Sequence, residues 1–211
     1  MNARFSSCLS IAVILSFFAL TAEAGDAAAG KPLYPVCTAC HGPTGQGNQA
    51  MNAPKIAGQH DWYIARQLKL FQLGARGTAK GDMQGMQMAA MSKGPQLKAE
   101  GALDNLAAYI ASFPDTKPPV TVTGDVAAGK RAYATCAACH GAQGQGVEAL
   151  SGPALAGQND WYLVNQVKKF KSGQRGYHKL DNGGRQMRPM AGMLANDDAI
   201  NNVVAYINTF Q

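Results

Sequence analysis

Apolar residues near the end of each half of the chain are spaced as on one face of an α-helix. They occupy positions 103, 106, 107, 110 and 113 in the first half and positions 200, 203, 204, 207 and 210 in the second. Positions three and four apart share a helical face, so each set predicts an amphipathic helix with a buried side. No segment shows the apolar and polar alternation of a half-buried strand, and we therefore predict an all-α fold.

Two further helices are predicted earlier in each half. The segments DWYIARQLKLFQLG and DWYLVNQVKKFKSG start with Asp61 and Asp160 as expected N-caps and end at Gly74 and Gly173. Another helix in each half should lead into a cysteine cluster. In the first half Pro35 indicates that this helix is short or starts late.

The two halves are copies of one another at an offset of 99 residues, in a register that begins at Gly25 and Gly124. The offset falls to 97 where LAAYIASF at 106–113 matches VVAYINTF at 203–210, so the first copy has two extra residues, which we place around 92–96. The proline-rich stretch between the copies is typical of a linker. We predict two domains, residues 25–113 and 124–211, joined by a linker at 114–123.

The first 24 residues have the pattern of a secretory signal peptide. Arg4 precedes an apolar run at 9–20, and small residues at 22–24 offer a cleavage site. This run is well short of the roughly 20 residues that cross a bilayer as a helix. We predict cleavage after Ala24, export to the periplasm and loss of Cys8 with the signal.

The charge is moderate and evenly distributed. Removing residues 1–24 takes away Arg4 and Glu23, so the net charge stays at +6. Without a basic tail or stripe, nucleic acid is excluded as a partner. An acidic patch on a redox protein fits better, with at most peripheral membrane association.

The clearest chemical signal is a pentad that occurs once in each copy, CTACH at 37–41 and CAACH at 136–140. Two thiols three residues apart lie on one face of a helical turn and can attach to the vinyl groups of a haem, while the next residue, His, reaches the iron. The pattern predicts two covalently bound haem c groups, held by the pairs Cys37/Cys40 and Cys136/Cys139 and ligated by His41 and His140.

Other uses of the four cysteines explain less. Two disulfides or a shared four-cysteine zinc site would leave both pentad histidines without a role. A thioredoxin-like centre would need a βαβ setting, of which the sequence has no sign.

Methionines are the candidates for the sixth iron ligand. Met88/Met187 and Met91/Met190 both keep the 99-residue offset, so spacing alone does not choose between them. Because methionine is also a common packing residue, we expect one ligand and one packing methionine in each domain.

The other histidines, His60 and His178, are not repeated and are expected at the surface. Trp62/Trp161 and Arg76/Arg175 are repeated, and two interpretations stay open for them. They are either a core aromatic pair and a solvated arginine pair, or donors of hydrogen bonds to haem propionates.

Taken together, the paired pentads, the AGQ at 57–59 and 156–158, the methionine segments and the final AAYI or VAYI helix resemble the two-haem cytochrome c4 family of exported bacterial electron carriers. The resemblance covers all of residues 25–211. It implies two class I cytochrome c domains related by a pseudo-twofold axis, with the propionate edges of the haems near the domain interface.

The resemblance also implies roles for particular residues. In the family, a leucine follows the ligand methionine by seven residues, which fits Met187 and Leu194 in the second copy. The 99-residue offset then gives Met88 as the ligand in the first copy. Met91 stays an alternative there, because the two extra residues that follow it weaken the fit. The carbonyls of Pro54 and Pro153 match the family position that accepts a hydrogen bond from the ligating imidazole.

An iron with histidine and methionine ligands has no position left for a substrate, so we predict an electron carrier and not an enzyme. The expected route runs from a respiratory donor, such as a cytochrome bc1 complex or a dehydrogenase, to a terminal oxidase. The alternatives are a cytochrome subunit of a periplasmic dehydrogenase complex and a two-haem peroxidase.

Overall fold

A computed structural model describes residues 25–210 of the chain. Within this range the secondary structure is helical, with two isolated bridges, Asn48 to Ala53 and Val147 to Gly152, and no strand. The all-α prediction is confirmed. The predicted signal peptide, with Cys8 and the cleavage site after Ala24, lies outside the described residues.

The helices fall into two matching sets. The first set is α1 (Ala27–Gly30), α2 (Pro35–His41), α3 (Asp61–Gln72), α4 (Met83–Met91) and α5 (Ala102–Ala111). The second set is α6 (Val126–His140), α7 (Asp160–Lys171), α8 (Asn182–Gly192) and α9 (Asp197–Ile207). No helix in the part of the chain covered by the structure is long and apolar enough to cross a membrane.

Helix α6 is continuous, whereas its counterpart is divided into α1 and α2 by the 3-10 turn Lys31–Leu33. Pro32 lies in that turn and Pro35 starts α2, and proline has no N–H for an intrahelical hydrogen bond. The second copy has Arg131 and Ala134 at these positions, so its helix continues. The short helix that Pro35 predicts is therefore present.

Each domain has its own core, formed where the last helix packs against the others. The predicted buried faces of α5 and α9 include Leu106, Ile110, Val204 and Ile207, all at most 5% exposed. The first helix of each copy crosses the last at a glycine: a Cβ built on Gly30 or on Gly129 would lie 1.9 Å from a backbone oxygen of α5 or α9. The small residue is thus required by close approach of the backbones.

The N-terminal ends of α3 and α7 differ from the predicted N-caps. Their N-caps are His60 and Asn159, one residue before the aspartates that the sequence suggested. The Asp160 carboxylate instead accepts hydrogen bonds from the linker, from the Thr121 amide and hydroxyl at 2.6 Å each and from the Val122 amide at 2.8 Å. It therefore holds the linker against the second domain.

The two extra residues of the first copy lie in a segment with no helical counterpart in the second. It includes the 3-10 turn Pro95–Leu97, and the Gln72 side-chain amide donates to the carbonyls of Ser92 and Leu97 at 2.9 and 3.0 Å. The end of α3 thereby fixes the chain that follows α4.

The two domains meet through hydrogen bonds that occur in mirrored pairs. Arg76 donates to Tyr162 and Gln166 of the second domain, and Arg175 donates to Tyr63 and Gln67 of the first. Equivalent residues thus contact each other in both directions, which is the signature of a twofold relationship. The structure supports the predicted pseudo-twofold arrangement.

Candidate haem sites

Helix α2 carries the first cysteine cluster on its last turns. Cys37 and Cys40 are partly buried and are not joined in a disulfide. The helix stops directly after His41, because Gly42 has a φ of 81°, a conformation that favours glycine. The two thiols and the imidazole therefore project from one short helical segment.

Hydrogen bonding fixes the orientation of the His41 ring. Its Nδ1 lies 2.8 Å from the Pro54 carbonyl oxygen, and since a carbonyl only accepts, Nδ1 carries the proton. The side chain is buried, and burial lowers the pKa of His41 although the hydrogen bond to Pro54 acts in the opposite direction. A neutral ring protonated at Nδ1 leaves the Nε2 lone pair for a metal.

The second domain repeats this geometry. Cys136 and Cys139 lie in the last turns of α6, and His140 Nδ1 donates to the Pro153 carbonyl at 2.8 Å. Burial again lowers the pKa of His140 against the effect of its hydrogen bond. Two equivalent imidazoles, one in each domain, are thus presented in the same tautomer.

A repeated tyrosine holds the end of each cysteine helix. The hydroxyl of Tyr34 donates to the Gly42 carbonyl at 2.5 Å, and that of Tyr133 donates to the Gly141 carbonyl at 2.7 Å. Burial raises the pKa of both tyrosines to about 12, so both stay protonated donors at neutral pH. The backbone next to each ligand candidate is therefore anchored to the core.

The four cysteines of the described residues lie as two separate pairs, one in each domain. Burial, with Cys40 nearby, raises the pKa of Cys37 to about 11, and burial also raises that of Cys136. No three His, Cys, Asp or Glu side chains in residues 25–210 come together as a metal site. Each domain instead offers one thiol pair and one imidazole, the donor set that haem c requires.

The four repeated methionines differ in exposure. Met88 on α4 and Met187 on α8 are partly buried, whereas Met91 is 48% exposed and Met190 is 36% exposed. Within each domain one methionine thus lies closer to the interior than the other.

The surface prediction for His60 needs correction, and one of the two interpretations left open for the arginines is excluded. His60 is partly buried at the domain interface, where its Nε2 lies 2.7 Å from the Gln145 carbonyl, and His178 is partly buried too. Arg76 and Arg175 are buried and not solvated, at 8% and 6% exposure. Trp62 and Trp161 are partly buried at the starts of α3 and α7.

Sequence reasoning did not identify the acceptors of these arginines. Gln67 and Gln166 each accept from both guanidinium groups, at 2.6 to 3.1 Å. The repetition of Gln67 and Gln166 in the 99-residue register is the sequence feature that could have identified them. Arg175 Nε is buried without a hydrogen-bond partner within the described residues, so it could serve an anionic group such as a propionate.

Comparison with known proteins agrees with this geometry. A model of the family Cytochrome c matches the chain twice, at residues 27–114 and 126–211. Cytochrome c4 of Azotobacter vinelandii is 33% identical over 206 residues, which cover 90% of this chain and 92% of that protein. A thiosulfate dehydrogenase electron acceptor of Thiomonas intermedia strain K12 is 36% identical over 159 residues, covering 70% of this chain and 68% of that protein.

A solved structure has the same architecture. The crystal structure of reduced recombinant cytochrome c4 from Pseudomonas stutzeri superposes with a TM-score of 0.66 at 28% identity and covers 87% of this chain and 98% of that one. Two cytochrome c domains with a cysteine pentad in each imply two covalently attached haem c groups. The chain therefore belongs to the two-haem cytochrome c4 family of electron-carrying cytochromes.

Proposed function

We propose that this protein is a periplasmic carrier that takes single electrons from a respiratory donor, such as a cytochrome bc1 complex or a dehydrogenase, and passes them to a terminal oxidase. The observation that carries the proposal is the pair of buried histidines, His41 and His140, each with Nδ1 held at 2.8 Å by a proline carbonyl. Two equivalent, preorganised imidazoles give one chain two redox centres of the same type.

In this proposal His41 and Met88 would bind the iron of the first haem, and His140 and Met187 would bind that of the second. The partial burial of Met88 supports it over Met91, which is 48% exposed. A thioether ligand raises the reduction potential of a haem, and a complete coordination sphere leaves no position for substrate. In this proposal the haems transfer electrons and do not make or break bonds of a substrate.

The two domains offer different surfaces for docking. In the second domain Lys171, Arg185 and Arg188 line a groove of about 480 Å³. The matching positions of the first domain are Gln72, Met86 and the buried Ala89. Leu73 at the end of α3 and Met83 at the start of α4 are 52% and 58% exposed. A basic surface on one domain and an apolar one on the other suit two partners of different chemistry, as a shuttle needs.

The N-terminal sequence supports a periplasmic location. The pattern of residues 1–24 is that of a secretory signal, and removal of this segment leaves the first repeat beginning at Gly25. We place the mature chain in the periplasm, where the respiratory partners of such a carrier are accessible.

Kinetics with isolated partners test the proposal. We expect the reduced mature protein to be reoxidised by a purified terminal oxidase at a saturable rate that falls with ionic strength, since the basic groove would steer an acidic partner. Arg185→Glu should slow the reaction, and Met86→Glu, at the matching position of the first domain, serves as the control. A high-spin haem in the oxidised protein would contradict the ligand set and favour a two-haem peroxidase.

A second candidate is the cytochrome subunit of a dehydrogenase complex. The similarity to a thiosulfate dehydrogenase electron acceptor favours it. Reduction of this protein by an isolated thiosulfate dehydrogenase with thiosulfate, together with a stoichiometric complex in gel filtration, would favour this assignment over the free shuttle.

A further inference from the structure

The peptide unit between Pro54 and Lys55 is hydrogen-bonded at both of its ends. Its carbonyl accepts from His41 Nδ1 at 2.8 Å, and its N–H, contributed by Lys55, donates to Asn159 Oδ1 at 2.6 Å. Asn159 belongs to the second domain. One peptide unit therefore joins the histidine of the first domain to a side chain of the other.

The reciprocal connection exists in the second domain. The carbonyl of Pro153 accepts from His140 Nδ1 at 2.8 Å, and the N–H of Ala154, in the same peptide unit, donates to Gln59 Oε1 at 3.1 Å. The other end of the Gln59 amide donates to the Ala154 carbonyl at 3.0 Å. Each histidine is thus linked across the interface through a single peptide.

The two connections use residues that do not correspond in the repeat. In the 99-residue register Gln59 corresponds to Gln158, and Asn159 corresponds to His60. Gln158 donates to the Lys55 carbonyl at 3.0 Å, which belongs to the next peptide unit, and His60 contacts Gln145 instead. Each histidine is therefore linked to the opposite domain, but the two links use different side chains.

Glycines make room for both connections. A Cβ built on Gly47 would lie 2.5 Å from the Lys55 nitrogen and 2.9 Å from Asn159 Oδ1, and one on Gly146 would lie 2.8 Å from the Ala154 nitrogen. Lys55 and Asn159 are 2% and 8% exposed, so bulk water has little access to the hydrogen bond between them. The peptide units are held in tightly packed, shielded positions.

A hydrogen bond donated by a peptide N–H polarises the whole amide and makes its carbonyl a stronger acceptor. A stronger acceptor at Nδ1 makes the imidazole a better donor to iron, which favours the ferric state and lowers the potential. We propose that Asn159 and Gln59 are positioning residues, each of which lowers the reduction potential of the haem in the opposite domain. This inference rests on His41 and His140 being the iron ligands of the proposed function.

The two interdomain hydrogen bonds differ in length, so the expected effects on the two haem potentials differ. The bond to Asn159 is 2.6 Å and that to Gln59 is 3.1 Å, so the haem of the first domain is affected more. Separation of the domains, on docking or by mutation, would raise both potentials. Contact between the domains thereby affects the driving force for electron transfer.

Site-resolved redox titration tests the proposal, with the haem methyl signals of each domain followed by NMR in the mature, haem-loaded protein. Asn159→Ala should shift the reduction equilibrium of the first haem several-fold towards the ferrous state and leave the second unchanged. Gln59→Met should act on the second haem alone. In the reduced protein, the Nδ1 proton of the affected histidine should move upfield.

Tyr177→Phe is the matched control, because it removes the hydrogen bonds between the Tyr177 hydroxyl and Thr78 of the first domain without touching Asn159, Gln59 or either histidine-linked peptide. If it shifts the potentials as much as Asn159→Ala, or if Asn159→Ala moves both haems equally or neither, the proposal is overturned. Should Asn159→Ala fail to fold, Gln59→Met decides the matter by itself. Loss of the low-spin spectrum in the unmodified protein would instead count against the proposed function.

Discussion

The guanidinium group of Arg175 in the second domain donates a hydrogen bond of 2.7 Å to the hydroxyl of Tyr63 in the first. Arg76 makes the mirrored bond to Tyr162 at 3.2 Å. Both arginines are buried, and neither takes part in an ion pair within the described residues. Because a buried cation without a carboxylate depends on its hydrogen bonds, the neutral acceptors around it are central to the stability of the interface.

Replacement of Gln67 should weaken this interface. Gln67→Leu removes the acceptor of Arg76 Nη1 at 2.6 Å and of Arg175 Nη2 at 3.1 Å. We expect a loss of about 2–4 kcal/mol in the free energy of unfolding, since hydrogen bonds to charged groups contribute about 1.5–3 kcal/mol each and do not add fully. Chemical denaturation of the mature haem-loaded protein measures the change.

The exposed ion pair between Lys168 and Asp197 provides the control for that experiment, because its side chains are 44% and 70% exposed. Lys168→Ala should cost no more than about 1 kcal/mol. Equal effects of the two substitutions would show that the arginine cluster contributes little.

Asp160→Asn should loosen the linker in a pH-dependent way. Burial acts to raise the pKa of Asp160, but hydrogen bonds from Thr121, Val122 and Trp161 outweigh it and hold this pKa below its ordinary value. A carboxylate with a lowered pKa stabilises the fold above about pH 4, and this contribution is lost as the pH falls through the folded pKa. We expect the variant to be about 1–3 kcal/mol less stable at neutral pH.

Unfolding measured from pH 7 to pH 2 checks this sign, since the difference between the variant and the parent should shrink in acid. Asp61→Asn is the matched control, because Asp61 is the exposed counterpart and bonds only its neighbour Trp62 within the described residues. A constant difference across the pH range would contradict the assignment.

Methionine variants check the axial ligands. Met88→Ala and Met187→Ala should each remove the thioether-to-iron absorption band from one haem and lower the potential of that haem, because the ligand that favours ferrous iron is lost. Met91→Ala and Met190→Ala are the controls, and both should keep the band. If Met91→Ala removes it and Met88→Ala does not, the ligand of the first domain is Met91.

Gly47→Ala should be costly for two separate reasons. Its φ of 84° strains any residue with a Cβ by about 1–2 kcal/mol, and the new atom would lie 2.5 Å from the Lys55 nitrogen. With overpacking added, we expect a loss of about 2–5 kcal/mol in thermal or chemical unfolding.

Gly74→Ala separates the two contributions to that loss. Gly74 has a φ of 69°, but a Cβ there would meet only the Thr78 methyl group at 3.6 Å. This control should show the strain alone. A cost for Gly47→Ala no larger than that for Gly74→Ala would mean that the histidine-linked peptide moves freely out of the way.

Local patterns in the chain were sufficient for much of the fold and for the first ligands. The period of Leu106, Ile110, Val204 and Ile207 identified the buried faces of α5 and α9, because helical geometry repeats over a few residues. The N-caps of α3 and α7 were misplaced by one residue, because an aspartate before an apolar run has the pattern of a cap. Asp160 instead binds a linker that lies 39 positions away in sequence.

By itself the sequence determined the duplication, the helical class and the two cysteine–histidine clusters, since each of these is a matter of spacing along the chain. Only the tertiary structure decided what Arg76, Arg175, Asn159 and Gln59 do. Their partners across the interface lie 86 to 112 positions away in sequence. Spacing within a repeat carries no information on how two repeats pack, and the buried hydrogen bonds between these domains arise only when their surfaces meet.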